Sequence, residues 1–242
     1  MFSKGRVATL VAEFLGTGVL AFVILTISRS QIGIPFFVSF AAGLAVIMLG
    51  VALQRDVQLN PALTLGLWTG RRIRTVKAIA FIAAQVLGGL AAYALYKYFS
   101  RGEVQSLPTD YDGRILVAEA FGTFVFAFVA AGVAYRRQHW LVRTVTSGAG
   151  LTLGIMIASV ASAAFVNPAV AIAANTWGWT TYILGPVLGA IIGVNLYGLL
   201  FAPRDGKRQD AETPAVAESS LIEAEITEEE DEEIEAEIEA EE

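Results

Sequence analysis

The sequence predicts an all-α membrane protein, with six transmembrane helices plus two re-entrant half-helices in an inverted 3+3 repeat. Three observations carry this. The chain of 242 residues is 55% apolar, has a mean hydropathy of +0.58 and is only 17% charged. Six apolar stretches are long enough to cross ~30 Å of hydrocarbon, which takes ~20 helical residues. The two halves of the chain also repeat each other, box by box, at a nearly constant offset.

The spans are predicted at residues 7–27, 35–53, 76–98, 115–134, 142–164 and 181–201. Lipid offers no hydrogen bonds to stray backbone, so each is expected to be a helix. Lys4 and Arg6 ahead of the first run superficially suggest a signal peptide, but no convincing small-residue cleavage site follows, and the run is read as a retained span. Two more apolar segments, from Asn60 to about Trp68 and from Asn167 to about Thr176, are too short to span and are read as re-entrant or interfacial. Trp68, Trp140, Trp177 and Trp179 fall near span ends or in connections, as an interfacial belt requires.

Charge is distributed unevenly. Residues 205–242 hold 17 of the 23 acids and 2 of the 17 bases, so the net −6 averages a +9 body and a −15 tail. That excludes an ordinary soluble acidic enzyme. With six spans, 13 bases fall on the side of the termini and 4 on the other, which predicts both termini in the cytoplasm. The body is assigned to residues 1–201, with repeats at about 1–100 and 108–201. The acidic segment 202–242 is expected to be disordered and cytoplasmic. Ile222, Ile226, Ile234 and Ile238 recur at multiples of four and permit an amphipathic helix there, which carboxylate repulsion opposes.

There is no cysteine and one histidine, His139. No thiolate site, His-based triad or two-His metal site fits in one chain, so no metal, cofactor or enzymatic activity is expected, and no nucleic-acid partner.

The repeat is specific. Ala12 to Phe22 aligns with Ala118 to Phe128 at seven of 11 positions, offset 106. Asn60-Pro61-Ala62 aligns with Asn167-Pro168-Ala169 at offset 107, and Val86-Leu87-Gly88 with Val187-Leu188-Gly189 at 101. Three spans per half force the second half upside down, and such folds place their site at the repeat interface near the midplane. Asparagine followed by proline is a strong helix start, because asparagine caps and proline occupies the first position without losing a bond.

With these two boxes, both Glu-x-x-Gly-Thr stretches, Ala84-Gln85-Val86-Leu87-Gly88 and Gly185-Pro186-Val187-Leu188-Gly189, residues 1–201 resemble the aquaporin (major intrinsic protein) family. The resemblance implies two half-helices meeting end to end at the midplane of a passive pore for water or small uncharged solutes. Asn60 and Asn167 would turn their amides to the permeant and help to exclude protons. It also implies a homotetramer in membrane lipid. The short loops suggest a prokaryotic plasma membrane.

Glu13 and Glu119 are the acids inside predicted spans. One reading makes them a proton relay. The other makes them acceptors for the exposed backbone of the pore loops, which the symmetry favours. Gly185, Gly189 and Gly193, with Gly88 in the third span, are read as close-packing residues.

The family's filter usually carries an arginine after the second box, where this chain has Val170. Counting from Asn167 puts Ile155 and Ala164 at two other filter positions. The second-span position is Phe40 when counted from Asn60 and Ala42 when anchored on Gly43-Leu44. The inferred filter is apolar either way. A wide pore and a dewetted plug both fit it. The loop before the first box, Arg55-Asp56-Val57-Gln58-Leu59, also departs from the family's glycine-rich, histidine-bearing pattern. Beside a passive channel stand a proton-coupled transporter using the glutamates and a non-conducting structural protein on the same fold. The acidic tail could serve a cytoplasmic partner or a gate over the basic loop Arg71–Lys77.

Overall fold

The structure is a computed structural model that describes residues 4–28, 35–53, 57–102, 104 and 110–203. Eight α-helices occur in order among these residues: α1 (Lys4–Ser28), α2 (Pro35–Leu53), α3 (Pro61–Thr69), α4 (Thr75–Ser100), α5 (Gly113–Tyr135), α6 (Trp140–Ala158), α7 (Pro168–Ala173) and α8 (Gly185–Phe201). A π-helical turn at Trp179–Leu184 leads into α8, so the sixth span is Trp179–Phe201. Six helices are long and apolar enough to cross a membrane, and α3 and α7 are the two short ones. The helices lie in one compact unit, Met1–Ala202. The acidic residues 204–242, with their isoleucine spacing, and Arg55-Asp56 lie outside the described residues.

The fifth span ends earlier than the hydropathy implies, at Ala158 instead of residue 164. Residues 163–166 are apolar yet carry no helix. Ala164, Phe165 and Val166 are buried in an irregular loop, and hydropathy registers burial without regard to backbone shape.

Packing follows the repeat. α1 lies on α4 as α5 lies on α8, and α2 meets α6 across the halves. Lipid supplies no hydrophobic drive between helices, so close approach through small residues has to hold them. Along α8 the glycines address successive carbonyls of α5. A Cβ on Gly185 would lie 3.1 Å from the Leu116 oxygen and one on Gly193 2.5 Å from that of Phe124, while one on Gly189 would collide with Ala120 O. Gly88 of α4 presses in the same way on Phe14 O of α1. Overpacking costs about 1–3 kcal/mol where backbone must move. Gly189→Ala is therefore expected to lower the melting temperature in detergent clearly, Gly185→Ala much less, and Gly5→Ala, whose Cβ would meet nothing within 4 Å, not at all. Equal effects at all three sites would contradict this packing.

Candidate functional site

Asn60 and Asn167 have extended backbones, with φ −151° and −155°, and each begins a short helix with proline at its first position. Asn60 Oδ1 accepts from the Ala62 and Leu63 N–H groups at 2.9 and 3.3 Å. Asn167 Oδ1 accepts from Ala169 N–H at 3.0 Å. Each asparagine therefore spends its oxygen on its own helix. The nitrogens cross over. Asn60 Nδ2 donates to Val166 O at 2.8 Å, and Asn167 Nδ2 donates to Leu59 O at 2.8 Å. These reciprocal bonds, each to the residue just before the other asparagine, bring the two helix starts together in a fully buried setting. Each amide keeps one N–H beyond them.

The carbonyls are aimed by unusual backbone. Leu59 and Val166 stand at φ 53° and 44°, and Ala164 at φ 56°. Left-handed φ costs a non-glycine residue roughly 1–2 kcal/mol, and it persists only where the surroundings impose it. The imposing groups are Glu13 and Glu119, both fully buried. Glu13 accepts from Gln58 N–H at 2.8 Å, Leu59 N–H at 2.9 Å and Gln85 Nε2 at 2.8 Å. Glu119 accepts from Phe165 N–H at 3.0 Å, Val166 N–H at 2.7 Å and Ser162 Oγ at 2.9 Å. Both carboxylates thus accept from the backbone of the loops that lead into the two boxes.

The two halves are braced differently. In the first, the Gln85 amide also donates to Thr64 Oγ1 at 3.0 Å, and that hydroxyl lies 2.7 Å from Gln58 Oε1 and 3.0 Å from Asn60 O. In the second, Phe165 packs on Tyr182 of the π-helical turn, ring centroids 5.1 Å apart. Sequence reasoning missed Gln58, Thr64, Ser162 and Tyr182 as supporting residues, and had Gln85 only as part of a motif. A buried glutamine beside a box was the available signal.

Ala42, Ile155, Ala164 and Val170 are all buried and belong to one apolar cluster. Phe40 does not join them. It is 55% exposed and stacks on Phe36 at an interplanar angle of 10° on the outer face of α2. Helical phase explains this, because two residues of a helix lie about 200° apart. With Val38, Ala42 and Val46 turned inward, Phe40 must face out. Of the two candidates for the second-span position, Ala42 faces the interior and Phe40 faces out.

The family model described as Major intrinsic protein matches residues 2–197, nearly all of the membrane unit. The chain belongs to the major intrinsic protein family. Among similar members is Aquaporin Z of Photorhabdus laumondii, 33% identical over 227 residues that cover 81% of this chain and 98% of that protein. Aquaporin NIP1-1 of Oryza sativa subsp. japonica is 32% identical over 217 residues, covering 82% of this chain and 76% of that one. A protein from the frog Pelophylax lessonae, Aquaporin FA-CHIP, is 29% identical over 200 residues, 76% of this chain and 73% of its own length. As a member of this family of channels, with six apolar spanning helices, the chain is an integral membrane channel for water or small solutes.

Proposed function

We propose that residues 1–201 form a passive pore for water together with small uncharged solutes such as glycerol-like polyols, urea and ammonia. The carrying observation is the reciprocal pair of bonds from Asn60 to Val166 O and from Asn167 to Leu59 O. They set two capped helix starts against each other in the middle of the unit. A water passing there would accept from the one N–H left on each amide. Its two hydrogens would then point away along the file, and protons could not be relayed through it in a single orientation. The positive ends of α3 and α7 add a barrier to cations.

Ala42, Ile155, Ala164 and Val170 form the constriction in this reading, an aliphatic ring without a charged donor. Such a ring passes solutes by size and by the cost of stripping their water. The two glutamates do not carry protons in this reading, because their oxygens hold the loops. The protein works as a homotetramer in a prokaryotic plasma membrane with both termini in the cytoplasm, an orientation supported by the 13 to 4 division of bases. The acidic tail serves a cytoplasmic partner.

Stopped-flow light scattering of proteoliposomes tests the proposal. Shrinkage against an impermeant osmolyte should be much faster than for lipid alone, and reswelling should follow with glycerol or urea. Shrinkage at the lipid-only rate against every osmolyte would overturn it.

A further inference from the structure

We propose that Arg71 and Arg74, on the short loop between α3 and α4, form a docking site for the phosphate of an anionic phospholipid in the leaflet on the side of the chain termini. The site needs only that the chain lies in a bilayer, and it stands whether or not the pore conducts.

The loop is tied down at three points. Trp68 Nε1 donates to Thr75 Oγ1 at 3.0 Å and closes it. Thr69 Oγ1 accepts from Asn195 Nδ2 of α8 at 2.8 Å. Arg72 turns inward, with Nη2 on Ala134 O at 3.2 Å and its guanidinium 4.6 Å from the centre of the Tyr135 ring. That leaves Arg71 and Arg74 on the outside. Both are exposed. Neither side chain meets an acid or a hydrogen-bond acceptor among the described residues, where the one ion pair is Arg114 with Asp112. The repeat sharpens the contrast. The residue that follows the end of α7, as Arg71 follows that of α3, is Asn175, and the two share φ near 56°. Asn175 spends its side chain within the protein, donating to Val104 O at 3.1 Å. Arg71 offers its own to the surroundings.

Those surroundings are lipid. Asn195 shares one face of α8 with Leu188, Ile192 and Leu199, at spacings of seven, three and four, and all are exposed on a spanning helix. Val76 and Ile79, at the start of α4, are exposed as well. α3 packs on both α4 and α8, so its end and the loop beyond it lie beside two lipid-facing surfaces. Trp68, partly exposed at this point, suits the headgroup level. A guanidinium fork matches phosphate oxygens, and two of them on a tied loop lose little freedom in holding one. The acyl chains would run along Ile79 and Leu199. A zwitterionic headgroup brings its own cation to the arginines, so the site favours a net negative one. The rival occupant is the acidic segment 204–242 of this same chain.

Native mass spectrometry of the full chain in detergent, with phosphatidylglycerol and phosphatidylcholine of equal acyl chains, reads the binding. Each base near an anionic membrane surface is worth about a fivefold gain in affinity, so wild type should prefer phosphatidylglycerol by roughly tenfold or more. Arg71→Gln with Arg74→Gln should lose that preference. Arg6→Gln with Arg137→Gln, which removes two other exposed bases from the same side, should keep it. Both double variants should melt as wild type does without lipid, because all four side chains are exposed. Glycerol 3-phosphate, which lacks acyl chains, should not shift the melting temperature, whereas phosphatidylglycerol should raise it. Equal losses in the two double variants would leave only diffuse attraction and overturn the site. A shift with glycerol 3-phosphate as large as with the lipid would make it a phosphate site and overturn the lipid assignment. A preference absent from the full chain that emerges on truncation after Pro203 would give the arginines to the acidic tail and overturn it as well.

Discussion

Replacing Glu119 by leucine is expected to cost about 4 kcal/mol of stability, a large share of the roughly 5–15 kcal/mol that folded proteins have. The carboxyl group takes the Phe165 and Val166 N–H groups and the Ser162 hydroxyl. Ser162 can fall back on Ala158 O, already 3.0 Å from its Oγ. The two backbone N–H groups have no such reserve, and a buried donor left without a partner costs about 1–3 kcal/mol. The loss also releases the restraint on Val166 at φ 44°, a conformation that a β-branched residue does not hold unaided. Glu119→Gln keeps one acceptor and turns an NH₂ toward an N–H, so about half the cost is expected. Thermal unfolding in detergent, followed by tryptophan fluorescence, reads both. Glu13→Leu should be at least as damaging, because Gln58 N–H, Leu59 N–H and Gln85 all lean on it. A Glu119→Leu protein melting within a degree or two of wild type would mean that the loop finds other acceptors, and the bracing account would fail.

The division between what could be read in advance and what could not follows from the physics of each signal. Hydropathy locates burial, and so it found the six spanning helices and the two short ones. Asparagine followed by proline specifies a capped helix start through local chemistry, so both starts at Asn60 and Asn167 were legible to the residue. The end of α6 was not, because Ala164, Phe165 and Val166 are as buried as any helix while the N–H groups of Phe165 and Val166 bond to Glu119 and that of Ala164 to Ser162. The choice between Phe40 and Ala42 is a question of helical phase. In a helix that is apolar all round, no polar residue marks the outer face. The reciprocal bonds between the boxes join residues 106 and 108 positions apart, and no local pattern encodes them. The inverted repeat could only say that the boxes share an interface. It could not say that each amide would reach across to the carbonyl before the other.

Val170→Arg is expected to fold, to lower urea and glycerol permeability more than tenfold, and to lower water permeability much less. Val170 is fully buried at the third position of α7, in the apolar core that also holds Ala42, Ile155 and Ala164. Two forces oppose a guanidinium there. The start of α7 carries a partial positive charge. A dry apolar site would also leave the cation unsolvated, at a cost of at least ~3 kcal/mol in a membrane interior. In the open-pore reading the site is wet, and the fork donates to water or to loop carbonyls. The arginine would then narrow the ring and reject the larger solutes, while single-file water slips past a group that hydrogen-bonds to it. The added charge should also suppress any cation leak, measured as dissipation of an imposed potential. The result discriminates sharply, because a dry plug and a wet ring differ in the fate of the protein and not only in its rate. If Val170→Arg aggregates or loses its thermal transition while Val170→Leu is unharmed, the cluster around Val170 excludes water, and the aliphatic ring is a barrier to polar solutes instead of their path.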